Sequence, residues 1–419
     1  MSTAEEADPP NQVGGTGDAA REAPESAPPD VSPKPDAAFA PYWSKRLAHV
    51  MLHEGRAWDD VRAFFKSVVA GLASLDDLRP EWRTASDQSE PCTASATEKY
   101  PTPGTKADFE RKRRTYCIEI AYFGEAFIGW QKQKGLRTVQ GTLEAALQPL
   151  VGGCGRAASV VCSGRTDKGV SASSQVGVFY AWTDLDEADV LARLNAAGGP
   201  EQAIRVCAVQ RVARSFHPCY HATQRRYVYV LPLRKEEGQQ CTQVGECHVF
   251  LRDHLHPSKF DGICVGVNVA AVNSLLQQLE GRMLDYRAFA RVPEVEPVES
   301  TECRLSVARA GLALLPSFRE SASGHRAGGE VMMVELIGNR FIRKLVRILV
   351  ATAIREAAWA GQPGWHEGLL VDLLHVKDNR VSSAPAPATG LVLAGVSYDG
   401  ISATSLEQSE PQELTTGGE

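Results

Sequence analysis

The spacing of apolar positions changes several times along the chain, and each change marks a predicted element. Trp43, Leu47, Val50, Met51, Trp58, Val61, Phe64, Phe65, Val68 and Leu72 recur near helical spacing. This predicts two helices that pack on something, either the core or a partner. Thr115–Tyr122 alternates like a strand, and Val139–Leu147 reads as a helix with Thr138 as its cap. Val161–Tyr180 begins and ends on strand-like residues, whereas Ser163–Ser174 holds the Gly, Ser, Thr, Asp and Lys of a turn. A helix follows over Asp184–Ala197, acidic at its start as the helix dipole prefers. Ile204–Val212 is strand-like, and the alternation of Arg225–Val230 places Tyr227 and Tyr229 on one face of a second strand. Asn268–Leu279 is an amphipathic helix ending at Gly281. Cys303–Leu315 and Val331–Gly338 read as paired strands. A last helix opens at Asn339 and runs to about Ala360, with Phe341, Leu345, Ile348, Leu349 and Ala353 on one side and Arg340, Arg343, Lys344 and Arg347 as a basic flank.

Composition sets the boundaries. The chain has 419 residues, 43% hydrophobic and 23% charged, which is ordinary for a soluble globular protein. No apolar run reaches the length of a membrane span. Residues 1–40, rich in Pro, Ala, Gly, Asp and Glu, have little to bury and read as a disordered acidic segment. Residues 41–83 form the helical extension and 84–112 a linker. Residues 113–235 form an N-terminal sub-domain carrying the polar loop, 236–400 a C-terminal sub-domain, and 401–419 an acidic tail.

The formal net charge of −6 argues at first against a nucleic-acid partner. The acidic excess, however, lies at the two ends and leaves residues 101–400 mildly basic, which is compatible with RNA. The basic run Arg111–Arg114 suits a nuclear-import signal, an RNA-phosphate contact or the lead-in to a strand. Ten scattered cysteines without a CxxC pair suggest free thiols in a reducing compartment. The acidic start resembles no signal or transit peptide, so cytosol or nucleus is expected, with an organelle left open. Residues 234–262 look like an irregular insertion. Its Cys241, Cys247, His248, His254 and His256 match no usual zinc spacing, so a loop and no metal is expected there.

The polar loop holds the strongest candidate chemistry. Arg165, Thr166, Asp167 and Lys168 sit between Gly164 and Gly169, small residues that let a ligand approach closely. From composition alone, a surface hairpin and a catalytic loop are about equally good readings. Gly164–Val170 resembles the G-R-T-D-x-G-V signature of the TruA-type tRNA pseudouridine synthases. Other stretches resemble that family in the right order. They are Tyr122–Gln133 with Thr138–Leu147, Phe216–Tyr229, Asp285–Arg291, Asn339–Arg347 and Ala384–Tyr398. The likeness spans about residues 113–398. Pro218 and Cys219 replace the family's Ala-Arg, whose Arg contacts RNA. Lys168 and Ser171 replace the Ala and His common in bacterial members, a pattern more like eukaryotic relatives.

The resemblance implies an α+β fold of two sub-domains, each an antiparallel sheet backed by helices, around a central basic cleft. It implies isomerisation of tRNA uridines, in the region of the anticodon stem-loop, with Asp167 as the nucleophile. Arg347 is the implied partner of that carboxylate, Arg165 helps displace the target base, and Tyr227 stacks on it. Gly164, Lys168, Arg226, Tyr229, Asn339 and Arg343 are the implied substrate contacts. Burial disfavours a charged carboxylate, so a cation beside Asp167 is what the chemistry requires. The reaction adds and removes nothing, and the chain carries neither a P-loop nor a dinucleotide fingerprint. No cofactor is therefore expected. The family leaves either a homodimer or a monomer open. The rival readings are an inactive RNA-binding protein of the same fold, a nucleoside hydrolase or glycosidase, and a structural protein. A glycosidase generally wants a second carboxylate or a metal, and the motifs offer Asp167 neither.

Overall fold

The computed structural model describes residues 48, 51–53, 56–82, 113–151, 156–199, 201–233, 241–242, 264–291, 300–316 and 329–399. All of them belong to one unit, Pro41–Glu419. The expectations for residues 1–40, 84–112 and 401–419, and for Cys247, His248, His254 and His256, lie outside the described residues. No helix among the described residues is long and apolar enough to cross a membrane.

The fold is α+β, and most of its strands join a single nine-stranded, mostly antiparallel sheet. Strand β1 (Arg114–Tyr122) pairs antiparallel with both β3 (Ser171–Ala181) and β4 (Ile204–Val212). The short β2 (Val160–Cys162) also pairs with β3. In the other half, β5 (Gln224–Pro232), β9 (Glu302–Leu315) and β10 (Gly329–Gly338) form long antiparallel ladders, with β8 (Met283–Asp285) at the edge. Strand β11 (Leu391–Ser397) closes the gap. It runs antiparallel to β5 and touches β3 in parallel at Val392–Ser171 and Leu393–Ala172. The two sheets expected from the sequence are therefore fused through this short seam. A separate two-stranded pair joins β6 (Cys241–Thr242) to β7 (Cys264–Val265).

Two apolar cores flank the seam. One gathers around helices α2 (Val139–Val151) and α3 (Glu187–Ala196) with the faces of β1, β3 and β4. Asp186 caps α3 by accepting from the Asp189 N–H at 2.9 Å. The other core gathers around α4 (Val269–Gln277), α5 (Leu345–Ala357) and α6 (Leu369–His375) with β5, β9 and β10. Tyr227 packs against both cores, which places it on the seam.

The N-terminal extension docks on the core. Its helix α1 (Trp58–Ala70) buries Trp58, Val61, Phe64, Phe65, Val68 and Val69 and touches β1, β3, β4, β5 and β9. It ends because Gly71 turns left-handed, φ 78°, and donates back to Ser67 O and Val68 O. Arg205 of β4 accepts this end by donating from Nε to Val69 O at 2.5 Å. Leu72, counted with the apolar stripe, lies beyond this stop and is exposed. Truncating Phe64 or Phe65 to alanine costs about 3–5 kcal/mol at a site buried this deeply.

Candidate active site

The polar loop between β2 and β3 is fixed by its own neighbours. The Thr166 hydroxyl meets the Tyr122 hydroxyl at 2.7 Å, in the apolar interior. Trp130 N–H donates to Thr166 O at 3.1 Å, and Val170 N–H to Asp167 O at 3.1 Å. Gln175 is buried and bridges both ends of the turn. It accepts from Ser163 Oγ at 2.6 Å and donates to Gly164 O at 2.7 Å. Ser171 accepts from the Gly124 N–H at 3.0 Å. At Gly129, φ 104°, a Cβ would lie 3.0 Å from Thr166 O; at Gly124 it would lie 2.2 Å from the Val170 carbonyl carbon. Both glycines let the backbone before α2 run against the loop. Between these anchors the loop leaves Arg165 and Lys168 exposed and Asp167 half-buried.

Arg347 reaches this loop from the first turn of α5. Its Nη1 lies 3.4 Å from Asp167 Oδ2, with the two side chains 16% and 30% exposed. Its Nε donates to Ala386 O at 2.6 Å, while Ala386 N–H donates to Arg347 O at 3.0 Å. The guanidinium is thus aimed by the segment before β11. A charge-assisted hydrogen bond at full strength is shorter, about 2.7–2.9 Å, so this ion pair has room to tighten around a bound group.

The sequence predicts that the last helix opens at Asn339. It starts instead at Leu345, because Lys344 takes a left-handed conformation, φ 65°, and ends the preceding loop. The loop from Asn339 to Lys344 thereby folds back over the site, and Phe341 sets its ring edge against Tyr227 at 5.0 Å and 77°. Burial pushes the Tyr227 hydroxyl up to about 12 despite the nearby Arg225, so the phenol stays protonated at neutral pH.

These groups line one cavity of about 1020 Å3. Asp167, Arg165, Tyr227, Arg347, Gly164, Lys168 and Arg343 all border it, as do Gln131 and Gln133. Three other residues named from the sequence lie elsewhere. Arg226 points to the opposite face of β5 from Tyr227, and its Nε donates to buried Glu335 at 2.6 Å. Burial would raise the Glu335 carboxyl, but Arg226 and Arg309 together hold it below the usual range. Tyr229 is 1% exposed, and its hydroxyl has no hydrogen-bond partner among the described residues. Asn339 squares the turn after β10, accepting from Arg304 N–H at 3.0 Å and donating its own N–H to Arg304 O at 3.2 Å.

Arg225 is the main residue that sequence reasoning passed over. Its guanidinium donates to Ala222 O, Asn339 O, Ser163 O and Cys219 O at 2.8–3.2 Å. It therefore ties together the polar loop, the β4–β5 turn and the loop after β10. Its neighbour Arg226 has the same chemistry, and only the strand alternation tells the two apart. Of the basic run, Arg113 and Arg114 serve the start of β1. Arg113 donates to Arg214 O at 3.2 Å and Arg114 pairs with Asp184.

Comparison with known proteins adds the following. A tRNA pseudouridine synthase A of Azorhizobium caulinodans is 30% identical over 285 residues, 68% of this chain and 94% of that protein. The tRNA pseudouridine synthase A of Tolumonas auensis is 29% identical over 293 residues, 67% of this chain and 92% of its own. That of Francisella tularensis subsp. mediasiatica is 25% identical over 285 residues, again 68% and 94%. No family model matches the chain. Among solved structures, a CRISPR endoribonuclease Cse3 bound to RNA covers 58% of the chain at 12% identity, with a TM-score of 0.14 that supports no structural argument.

Proposed function

The chain belongs to the TruA-type tRNA pseudouridine synthase family, and on that premise we propose how this cavity isomerises uridine in tRNA to pseudouridine. The reaction breaks the bond from the ribose to N1, turns the base and rejoins the ribose to C5. The C5 proton leaves and N1 takes one up, so nothing is added overall. Such chemistry needs a carboxylate at the sugar or base, a counter-charge to keep it aimed, and a place for an extruded base.

The observation that carries the reading is the contact between Asp167 and Arg347 at the edge of a cavity that also admits Arg165 and Tyr227. Asp167 is the nucleophile and Arg347 its counter-charge. Desolvating such a pair is costly, so its place beside an open cavity favours a catalytic role over a stabilising one. Arg165, exposed at the loop tip, takes the position vacated by the displaced base. The protonated Tyr227 offers its ring to stack on the target uracil. Arg165, Lys168, Arg343, Lys344 and Arg347 give the cavity five cations to one carboxylate, which suits a basic cleft for tRNA phosphates. The anticodon stem-loop is the proposed region of modification.

The reading is tested by incubating the full chain with an unmodified tRNA transcript and mapping pseudouridine base by base. Pseudouridine at one or a few defined uridines is the expected result. A transcript left unmodified at saturating protein contradicts it.

A further inference from the structure

The turn between β4 and β5 is pinned far more firmly than its surface position requires. His217 Nδ1 accepts from the N–H groups of Cys219 and Tyr220, each at 3.2 Å. His221 Nδ1 accepts from His217 N–H at 3.0 Å, and His221 N–H returns to His217 O at 3.2 Å. The Tyr398 hydroxyl donates to Pro218 O at 2.8 Å, and Arg225 donates to Cys219 O at 2.8 Å. On this fixed turn Tyr220 stands 83% exposed, the most exposed of the protein's large hydrophobic side chains among the described residues. Its ring stacks on the His217 imidazole at 4.2 Å and 27°, and both residues border the cavity that holds Asp167 and Tyr227.

The pair is also uncharged. Because His217 Nδ1 is an acceptor, its proton sits on Nε2, and burial together with His221 pushes its pKa down. His217 and Tyr220 thus form a neutral double ring layer among exposed cations, Arg165, Lys168 and Arg343. Cations recognise phosphate. A rigid aromatic face recognises the π-face of a base, whichever base it is.

We propose that Tyr220, backed by His217, is a stacking platform for an unpaired nucleobase of the tRNA beside the uridine that enters the cavity. The proposal rests on the tRNA-modifying reading of the same cavity. It makes Tyr220 a substrate-binding residue that contributes affinity through its ring and not through its hydroxyl.

The test uses the full chain, an unmodified tRNA transcript and the variants Tyr220→Ala and Tyr220→Phe, with affinity measured across a salt series. Truncating the exposed ring leaves the fold intact, which circular dichroism checks. The expected result is that Tyr220→Ala binds about tenfold more weakly and Tyr220→Phe binds like the wild type. The slope of log affinity against log salt stays unchanged, because stacking releases no counterion. Wild-type affinity in Tyr220→Ala, equal damage in Tyr220→Phe, or a shallower salt slope in Tyr220→Ala each overturns the platform. The two readings fail separately. A wild-type protein that binds the transcript through Tyr220 and forms no pseudouridine defeats the proposed activity alone. One that forms pseudouridine, with Tyr220→Ala binding normally, defeats the platform alone.

Discussion

The Arg347 guanidinium is held at both ends, with Nε on Ala386 O at 2.6 Å and Nη1 on Asp167 Oδ2 at 3.4 Å. The residue therefore joins α5, the segment before β11 and the polar loop in one contact. Arg347→Ala removes the counter-charge and is expected to lower single-turnover pseudouridine formation about a hundredfold or more. Arg347→Lys is expected to recover only part of this. A single ammonium cannot serve the carbonyl and the carboxylate in the same fork geometry. Rates from rapid-mixing assays on a tRNA transcript check both.

Arg225 makes a second prediction. Arg225→Ala strips four carbonyl partners of a shared donor, one of them, Cys219, in the wall of the cavity. Lost hydrogen bonds to a charged donor are worth about 1.5–3 kcal/mol each at most and are not additive. A stability loss of roughly 2–4 kcal/mol is expected from the urea midpoint, with activity falling further than the folded fraction explains.

The elements that positioned these residues were readable in unequal measure. Strands β4 and β9 show period-two burial, because each buries one face against helices, whereas β10 is buried on both faces over Val331–Leu336. The Gly-rich loop, its Asp167 and the distant Arg347 came from motif resemblance, and the structure brings them into contact. Alternation placed Tyr227 and Tyr229 on one face correctly, yet only Tyr227 borders the cavity. A Cβ on Gly390 would sit 2.8 Å from the Tyr229 ring and 3.0 Å from Trp58, so chain segments far away in sequence cover it. Periodicity reports a face and is silent on what covers it. For the same reason the docking of α1, the fusion of the sheets at β11 and the left-handed Lys344 were not legible. Each depends on contacts across more than a hundred residues or on a single backbone angle.

Arg226 gives a prediction about what does not bind substrate. Its charge is used by Glu335, which Arg309 also pairs at 2.6 Å. Arg226→Gln is expected to leave the KM for tRNA within about twofold of wild type while lowering thermal stability. Glu335→Gln strands two guanidiniums against a largely buried position and is expected to cost about 1–3 kcal/mol. A large rise in KM for Arg226→Gln places that side chain at the substrate after all.

The histidine turn makes stability depend on pH. Burial pushes His217 and His221 below the ordinary value, with His221 adding to the effect on His217. Between the folded values and about 6.5 the unfolded chain binds more protons than the folded one. Stability from these groups is therefore complete above pH 6.5 and is lost as pH falls through the folded values. Urea midpoints are expected to drop between pH 7.5 and 5.5, and the drop is expected to shrink in a His217→Gln/His221→Gln variant. Protonating His217 Nδ1 also breaks its bonds to Cys219 and Tyr220, so tRNA affinity is expected to fall over the same interval beyond what the wild-type salt dependence explains.

The role of Asp167 is open to the most direct measurement. Asp167→Ala, purified and folded, is assayed in parallel for tRNA affinity and for pseudouridine formed in one turnover. The expected result is affinity within a few fold of wild type and no detectable pseudouridine after many wild-type half-times. Pseudouridine formed by Asp167→Ala at a rate near the wild type's removes Asp167 from the chemistry and, with it, the reason given for Arg347 beside it.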